Sequence, residues 1–381
     1  MAQFIFTIKD INQILNDFIW GPYMLAFFLF VGLMFTMRTG LFQIVHIKDW
    51  LDITILSVFK KDTKSRRTED KHSISQFQSL CTALAATIGV GNISGVAVAL
   101  ALGGPGAIFW MWMSAFLGMM TNFAEKTLGI KYRYKNEKGN WIGGAMVYIE
   151  KGLGFKWLAV IFSVFCMLAS FGIGNMSQGN EIANGLNNAF GIPNWITGLV
   201  VMAVAALVIL GGIKRIASVA EKVVPFMAIT YILGTLIVIG SNITALPDAF
   251  GMIFGNAFNL SSVGGGVAGF TIMVALRQGV SRGVFSNEAG LGSSVMVHAT
   301  ADVKEPVEQG MWAIFEVFAD TIVVCTMTAL TILCSGVYDF AAYEACFAQG
   351  LEPGAVSLFP LLSCFLPSPL FLVGLTMASV Q

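Results

Sequence analysis

The residues best placed to do chemistry lie in an apolar run between positions 82 and 118, where Gly89, Gly91 and Asn92 interrupt a stretch of membrane length. A helix broken at bilayer depth frees backbone groups, and these persist only where they line a cavity or bind a ligand. Free amides of such a segment suit a carboxylate, so we predict substrate contacts at Thr87, Gly89 and Gly91. The free carbonyls and the side chain of Asn92 suit a small cation. Close packing of small residues against another helix is the competing interpretation.

Two polar side chains in other apolar runs could complete this site. Gln178 follows the fourth run, and its amide can both donate and accept hydrogen bonds, which suits the two ends of an amino acid. Thr271, in the glycine-rich seventh run, is predicted as a further polar contact. An amide at the outer membrane interface needs no ligand, so both interpretations of Gln178 stay open. Because no charged partner for a substrate side chain is assured, the site should prefer a small neutral substrate.

Residues 277–300 form a further polar segment beside a membrane run. Arg282 and Glu288 in this segment could form an ion pair that closes a cytoplasmic gate and breaks when the gate opens. A surface loop in which the Arg side chain snorkels to the inner leaflet explains the same residues.

Other classes of site find little support in the sequence. No Ser/His/Asp arrangement or phosphate-binding glycine loop stands out, which argues against an enzyme. The three His lack metal-ligand spacing, and the basic residues do not form one face, so neither a structural metal nor a nucleic-acid partner is expected. The carboxylates Glu125, Glu316 and Asp320 lie inside apolar runs, where a proton relay or pairing between helices would account for them.

The elements that position these residues are membrane helices. A chain of 381 residues that is 56% hydrophobic and 12% charged has more apolar surface than one soluble core can bury. No polar linker divides it, so residues 1–381 should form a single transmembrane domain in a lipid bilayer. We predict nine spans of about 20 residues each, at 18–37, 76–102, 105–124, 157–176, 195–213, 223–240, 264–281, 311–334 and 356–378. The first lacks a small-residue cleavage site and is predicted to be retained.

The distribution of Lys and Arg predicts the orientation. Both residues concentrate in 38–75 and 126–156, and the positive-inside rule makes these loops cytoplasmic. Neither residue occurs in the alternate loops, at 177–194, 241–263 and 336–354. The N-terminus should therefore lie outside, and nine crossings leave the C-terminus inside. Within 38–75, residues 42–59 are predicted to form an amphipathic helix on the inner leaflet.

The second and seventh spans are both interrupted by glycines and polar residues, at a distance of five spans. An odd offset reverses the direction of crossing, so the two halves of the chain should be inverted relative to one another.

The run Gly103 to Gly118 (GGPGAIFWMWMSAFLG) resembles the signature of the alanine or glycine:cation symporters, also called sodium:alanine symporters. Similar motifs lie at 86–93, 123–126, 143–146 and 286–292. The resemblance implies an all-α polytopic membrane protein with a leucine-transporter-type core of two inverted five-helix repeats after one extra N-terminal helix. It also implies symport of alanine or glycine with sodium by alternating access in a bacterial plasma membrane, with sodium as the coupling ion, no other metal and no organic cofactor.

The family's helices continue further than this sequence, so the resemblance implies a C-terminally incomplete domain that lacks the last two family helices. It places the hydroxyls of a second sodium site at Thr376 and Ser379. Two alternatives stay open: a truncated membrane protein that no longer transports, and a symporter coupled to protons.

Overall fold

The computed structural model describes residues 2–59, 64–66, 68, 70–258 and 267–339 of the chain. Helices make up nearly all of the described chain, in agreement with the predicted fold class. The α-helices in order are α1 Ala2–Ile19, α2 Pro22–Arg38, α3 Phe42–Val45, α4 Ile47–Leu51, α5 Ser57–Phe59, α6 Gln76–Thr87, α7 Val96–Gly103, α8 Gly106–Tyr132, α9 Ala145–Leu153, α10 Lys156–Phe171, α11 Gln178–Phe190, α12 Asn194–Ile209, α13 Gly212–Ser241, α14 Leu246–Ala257, α15 Val267–Asn287, α16 Val295–His298, α17 Pro306–Val317 and α18 Thr326–Cys334.

Short irregular elements join several of these helices. Four segments are π-helical, at Asp52–Leu56, Gly91–Gly95, Gly172–Ser177 and Phe318–Cys325. Two turns are 3-10 helical, at Lys64–Arg66 and Ile243–Ala245. A small antiparallel hairpin pairs β1 Tyr134–Lys135 with β2 Trp141–Ile142. Single π turns inside helices often mark functional positions, and two of them lie at the candidate site described below.

Five helices of the described chain are long and apolar enough to cross a membrane: Asp10–Arg38, Gly106–Tyr132, Lys156–Phe190, Gly212–Ser241 and Pro306–Cys334. Gln76–Thr87 and Gly91–Gly103, which meet at a bend of 52°, would make a sixth span together. These helices confirm an all-α polytopic membrane protein. Helix covers most of the described residues of each predicted span from 18–37 to 311–334, while 356–378 lies outside the described residues. The nine crossings and the inverted pairing of the halves therefore stay predictions.

The predicted amphipathic segment 42–59 is helical, as α3, α4, the π turn Asp52–Leu56 and α5. Its position on the inner leaflet stays a prediction. Trp50 is buried, donates its indole N–H to the carbonyl of Gln43 at 3.1 Å, and lies with its ring 5.7 Å from that of Phe318. Ile44 remains exposed. This segment therefore packs one side on the helix bundle in addition to presenting apolar residues outward.

The centre of the described bundle is α8, which packs closely against α15 and α17. Small residues allow this approach: a methyl group added to Gly279 would overlap the carbonyl oxygen of Ala107, and one added to Gly310 would lie 2.8 Å from the ring of Phe123. Helices in membranes gain much of their association from such close backbone packing.

We expect Gly279→Ala to destabilise the protein, because the new methyl group must push the backbone of α8 away. Overpacking of this kind typically costs about 1–3 kcal/mol. Gly198→Ala in α12 is the matched control, since nothing lies within 4 Å of its added carbon. Thermal unfolding of the purified variants in detergent measures the effect. Equal midpoints for the two variants would show that the α8–α15 contact can relax freely.

Candidate functional site

The break in the second predicted span is built by its own asparagine. Helix α6 ends when the amide of Ile88 donates to the carbonyl of Leu84 at 2.8 Å. The side-chain oxygen of Asn92 then accepts from the amide of Gly89 at 2.8 Å and replaces the next helical bond. The chain resumes as the π turn Gly91–Gly95 and continues into α7. An unwound turn is thus held open at the depth of a membrane helix.

A fully buried carboxylate faces this break. Asp320, in the π turn Phe318–Cys325, accepts the side-chain amide of Asn92 on Oδ1 at 2.7 Å. Its Oδ2 accepts hydroxyl groups from Ser286 at 2.9 Å and Thr321 at 2.8 Å. Asp320 therefore joins three elements: the broken helix, the end of α15 and its own π turn. We call Asn92, Ser286, Asp320 and Thr321 the Asp320 site.

The hydrogen bonds around Asp320 favour its ionised form. The amide of Asn287 donates to the Thr321 hydroxyl at 3.1 Å, so that hydroxyl has its own proton free to donate to Asp320. The Asn92 nitrogen can only donate. Donors therefore point at both carboxylate oxygens, and hydrogen bonds to the charged form of an acid favour that form.

When Asp320 is ionised, its charge has no protein cation beside it in the described chain. Within the described part of the chain, no Lys, Arg or His forms an ion pair with this carboxylate; the interactions that surround it are the three hydrogen bonds and a like charge from Glu316. A buried charge without a partner destabilises the folded protein by roughly several kcal/mol. The arrangement is therefore chemically suited to hold a small monovalent cation, with the carboxylate, hydroxyl oxygens and nearby backbone carbonyls as ligands.

The structure brings together three of the predicted substrate residues. A carbon added to Gly89 would lie 3.0 Å from the side-chain amide of Gln178, and the Val90 amide donates to Gln178 Oε1 at 3.4 Å. Thr87 is buried, and its hydroxyl has no hydrogen-bond partner within the described chain. The break thus offers an unsatisfied hydroxyl and a weakly bonded amide, both suited to a polar ligand.

Gly91 lies beside the Asp320 site. A carbon added there would lie 3.2 Å from the Cα of Ser286, so this glycine sets the distance between the broken helix and α15. This contact fits the packing interpretation, and the predicted contact of Gly91 with substrate stays a prediction. Thr271 lies in α15 with its side chain outside the described part of the structure, and Thr376 and Ser379 lie outside the described residues.

The predicted gate pair is not formed in this structure. The carboxylate of Glu288 accepts a hydrogen bond from Ser293, and the Nε of Arg282 is buried without a partner in the described chain. No ion pair joins the two side chains among the described residues. Glu288 adopts a left-handed backbone conformation with φ of 54°, and burial raises the pKa of its carboxyl. A gating role for either residue stays a prediction.

A second buried polar cluster lies further along α8. Lys126 and Glu316 are both fully buried, with the Lys126 ammonium 3.7 Å from the Glu316 carboxylate. His298 lies 3.2 Å from the same carboxylate, and Asn122 donates to it at 3.2 Å. Glu125 completes the group at 3.9 Å from Lys126. We call these five residues the Lys126 cluster; it confirms interhelical pairing for Glu316.

Sequence reasoning identified Asp320 as a carboxylate inside a span but did not connect it with Asn92. Ser286 and Thr321 were not predicted as site residues. One signal was available: Ser286 and Asn287 end a helix that begins with an apolar run, and polar groups beside a membrane span usually face partners or a cavity.

Comparison with known proteins shows what the chain is similar to. The profile of the sodium:alanine symporter family matches residues 5–366. The sodium/alanine symporter AgcS of Methanococcus maripaludis is 46% identical over 329 residues, covering 85% of this chain and 70% of that protein. The Bacillus subtilis protein named "Probable sodium/glutamine symporter GlnT" is 42% identical over 332 residues, covering 87% of this chain and 66% of that protein. A crystal structure of the Eremococcus coleocola manganese transporter aligns with a TM-score of 0.53 at 13% identity, covering 84% of this chain and 66% of that one, and shows likeness of fold alone.

Proposed function

This chain belongs to the sodium:alanine symporter family, and on that premise we propose that it moves alanine across the cell membrane together with sodium. It is a multi-pass membrane protein of a transporter family. The observation that carries the proposal is Asp320, a buried carboxylate beside a broken helix, with three hydrogen-bond donors and no cationic side chain paired with it among the described residues. A coupling ion would supply the missing charge.

The cation would lie at the Asp320 site. Asp320 contributes the charge, and the hydroxyls of Ser286 and Thr321 have oxygen lone pairs that can turn to the ion. The Asn92 oxygen accepts one bond from Gly89 and has a second lone pair to offer. Because these oxygens come from three separate elements, an ion bound among them would hold those elements together and stabilise one conformation of the transporter.

The substrate would lie at the helix break next to this ion. The Thr87 hydroxyl and the Gln178 amide can bond the carboxylate and ammonium of an amino acid, and a carboxylate near the break would be attracted to the bound cation. We assign no charged residue of the described chain to contact a substrate side chain at the break. We therefore propose that the substrate is a small neutral amino acid, alanine or glycine. Thr271 remains a proposed contact.

Alternating access would use the break as a hinge. The bend of 52° between Gln76–Thr87 and Gly91–Gly103 lets one half of the span move relative to the other. We propose that Arg282 and Glu288 pair in the state that closes the cytoplasmic side, with Ser293 holding Glu288 in the present one. The charge distribution supports an outside N-terminus and a plasma-membrane location.

Uptake of radiolabelled alanine into liposomes containing the purified full chain tests this function. An inward sodium gradient should drive accumulation, and replacing sodium with potassium should abolish it. Equal uptake in potassium would contradict sodium coupling, and accumulation driven by a proton gradient alone would favour the proton-coupled alternative.

Competition assays test the substrate. Unlabelled glycine should compete well with labelled alanine for uptake. Inhibition by aspartate or lysine as strong as that by alanine would contradict a neutral site. Selective inhibition by glutamine would instead indicate that glutamine is the substrate, as the name of the Bacillus subtilis relative suggests for that protein.

Gly91→Ala should weaken sodium binding more than alanine binding. The added carbon meets the backbone of Ser286 at 3.2 Å and must displace a ligand of the proposed ion. We expect the sodium concentration for half-maximal uptake to rise about tenfold, equivalent to about 1.4 kcal/mol, with a smaller change in the KM for alanine. Gly95→Ala is the control, because its nearest neighbour is 3.9 Å away. A larger change in alanine KM than in sodium dependence would return Gly91 to the role of a substrate contact.

A further inference from the structure

We propose that His298 binds a proton and that the side-chain amide of Gln309 rotates in response to the charge of the imidazole. The site lies outside the proposed sodium and alanine sites and does not depend on either. Its ligand is a proton taken from water, and the group that responds is a neutral amide that can rotate.

The contacts of His298 define its neutral state. The imidazole is fully buried, with Nδ1 2.5 Å from the Nε2 of Gln309 and Nε2 3.2 Å from a carboxylate oxygen of Glu316. An amide nitrogen only donates, so Nδ1 must be the unprotonated acceptor. The single ring proton of the neutral form then sits on Nε2 and faces Glu316.

Protonation requires Gln309 to turn. An imidazolium carries hydrogen on both nitrogens, so Nδ1 would then need an acceptor in place of the amide nitrogen. Gln309 has one available, because its Oε1 is buried and without a hydrogen-bond partner in the described chain. Rotation of the amide by half a turn brings Oε1 to Nδ1–H and satisfies both groups. The proton adds to Nδ1, and no covalent bond other than the new N–H forms or breaks.

The rotation is transmitted to α6. The Nε2 of Gln309 also lies 3.5 Å from the Ser79 hydroxyl, which belongs to the half of the broken helix that precedes the bend. In the neutral state this hydroxyl accepts from Gln309, and after rotation it donates to Oε1. Trp312, one turn further along α17, donates to Gln76 of the same helix at 3.0 Å. The contact between α17 and α6 therefore contains the group that senses the proton.

The groups around His298 include charges of both signs. From α8, Lys126 offsets Glu316, and the Glu125 carboxyl lies 3.9 Å from Lys126 with an otherwise unpartnered oxygen in the described chain. Glu288, from the loop after α15, interacts with Glu316 as a like charge. Tyr148 on α9 interacts with Glu125 and is neutral at ordinary pH. From α6, Ser79 and Gln76 are uncharged. The charged groups that act on His298 are Glu316 and Lys126, and the carboxylate of Glu316 is the one that lies 3.2 Å from its Nε2.

The burial of His298 determines how a proton can reach its imidazole and at what pH the ring becomes charged. Glu125 is the most exposed member of the Lys126 cluster, with 12% of its side chain accessible, and it offers a route for a proton from water. Burial is the largest influence on His298 and lowers the pKa of its imidazole. The site is therefore neutral near pH 7 and becomes charged as the pH falls below the usual range of histidine.

Nuclear magnetic resonance of the ring carbons measures this titration directly. The chain contains three His, so the variant His46→Asn/His72→Asn of the full chain leaves His298 as its single imidazole. His46 and His72 are both exposed, and their replacement should not disturb the fold. With labelled histidine in detergent micelles, we expect one titration with a midpoint below about 6.5. A ring signal that stays unchanged from pH 4 to pH 8, measured on protein that remains folded, would overturn the proposal.

Two further variants in the same background test the role of the amide. Gln309→Leu removes the acceptor for the charged ring and should lower the midpoint by about one pH unit, which corresponds to about 1.4 kcal/mol. Ser79→Ala removes the second bond to the rotated amide and should lower it by less. Gln43→Leu is the control, because this buried amide bonds to Thr36 instead. A midpoint that does not change in Gln309→Leu would show that the amide does not respond to protonation of His298, and it would overturn the proposal.

Discussion

Replacing Asp320 with asparagine should abolish sodium-driven alanine uptake while leaving the protein folded. The substitution keeps the size of the side chain and an oxygen to accept from Asn92, but it removes the charge that a cation needs. Loss of one partner from a buried ionic contact costs about 3 kcal/mol, which is about a 100-fold loss of sodium affinity. Uptake measured over a range of sodium concentrations reports this directly. Binding of alanine at saturating sodium should be affected less.

Thr331→Val is the matched control for this experiment. Thr331 is buried in α18, the helix that continues from the π turn of Asp320, but its hydroxyl donates only to its own helix at Met327. We expect sodium dependence close to that of the unmodified protein. If Asp320→Asn retained the same sodium dependence as this control, the coupling ion would have to bind elsewhere, and the second sodium site implied at Thr376 and Ser379 would become the first place to look.

Much of the helical architecture follows from the sequence because membrane length and apolar composition set it. A helix about 20 residues long is required to cross the hydrocarbon core, and the runs that satisfy this rule are largely helical where the structure describes them. Helix α1 was not predicted: it carries Lys9, Asp10 and Asp17, which dilute the apolar signal. Among its described contacts is the ion pair of Asp17 with Arg277 at 3.0 Å, which depends on tertiary structure and leaves no local pattern.

The motif that carries the family resemblance is explained by packing. Within Gly103 to Gly118, a carbon added to Gly106 would lie 2.5 Å from the carbonyl oxygen of Asn256, and Trp112 donates to the Thr326 hydroxyl at 2.8 Å. These contacts fix α8 against α14 and α18. A specific motif can thus identify the family without containing a residue of the proposed ion site.

The candidate site was only partly predictable for a related reason. The glycines and Asn92 mark the break, because a broken helix in a membrane span is unusual in any sequence. Its partner Asp320 lies 228 positions away, and nothing in the local sequence distinguishes pairing across that distance from pairing with a neighbouring helix. The closeness of Gly91 to Ser286 could not be predicted either, since Ser286 is brought there by tertiary packing.

Replacing Lys126 with methionine should cause the largest loss of stability of any single change proposed for this protein. The ammonium is fully buried between Glu316 and Glu125, and it also donates a hydrogen bond to Asn122. Without it, Glu316 lies in a buried site where His298 and Asn122 are its remaining partners, and burial opposes its charged form. Removing one partner of such a pair typically costs about 3–5 kcal/mol. Thermal unfolding in detergent should show a large fall in the midpoint.

The double variant Lys126→Met/Glu316→Gln separates loss of charge balance from loss of packing. If the cost arises from the unpaired carboxylate, neutralising Glu316 should recover most of the stability, because a neutral amide needs only hydrogen bonds, and Asn122 and His298 remain beside it. Lys131→Met, at an exposed position five residues along the same helix, should change stability by less than about 0.5 kcal/mol. A double variant as unstable as the single one would identify Glu125 as the carboxylate that depends on Lys126. In that case Glu316 would be held mainly by His298 and Asn122, and the proton state of His298 would control the stability of the whole cluster.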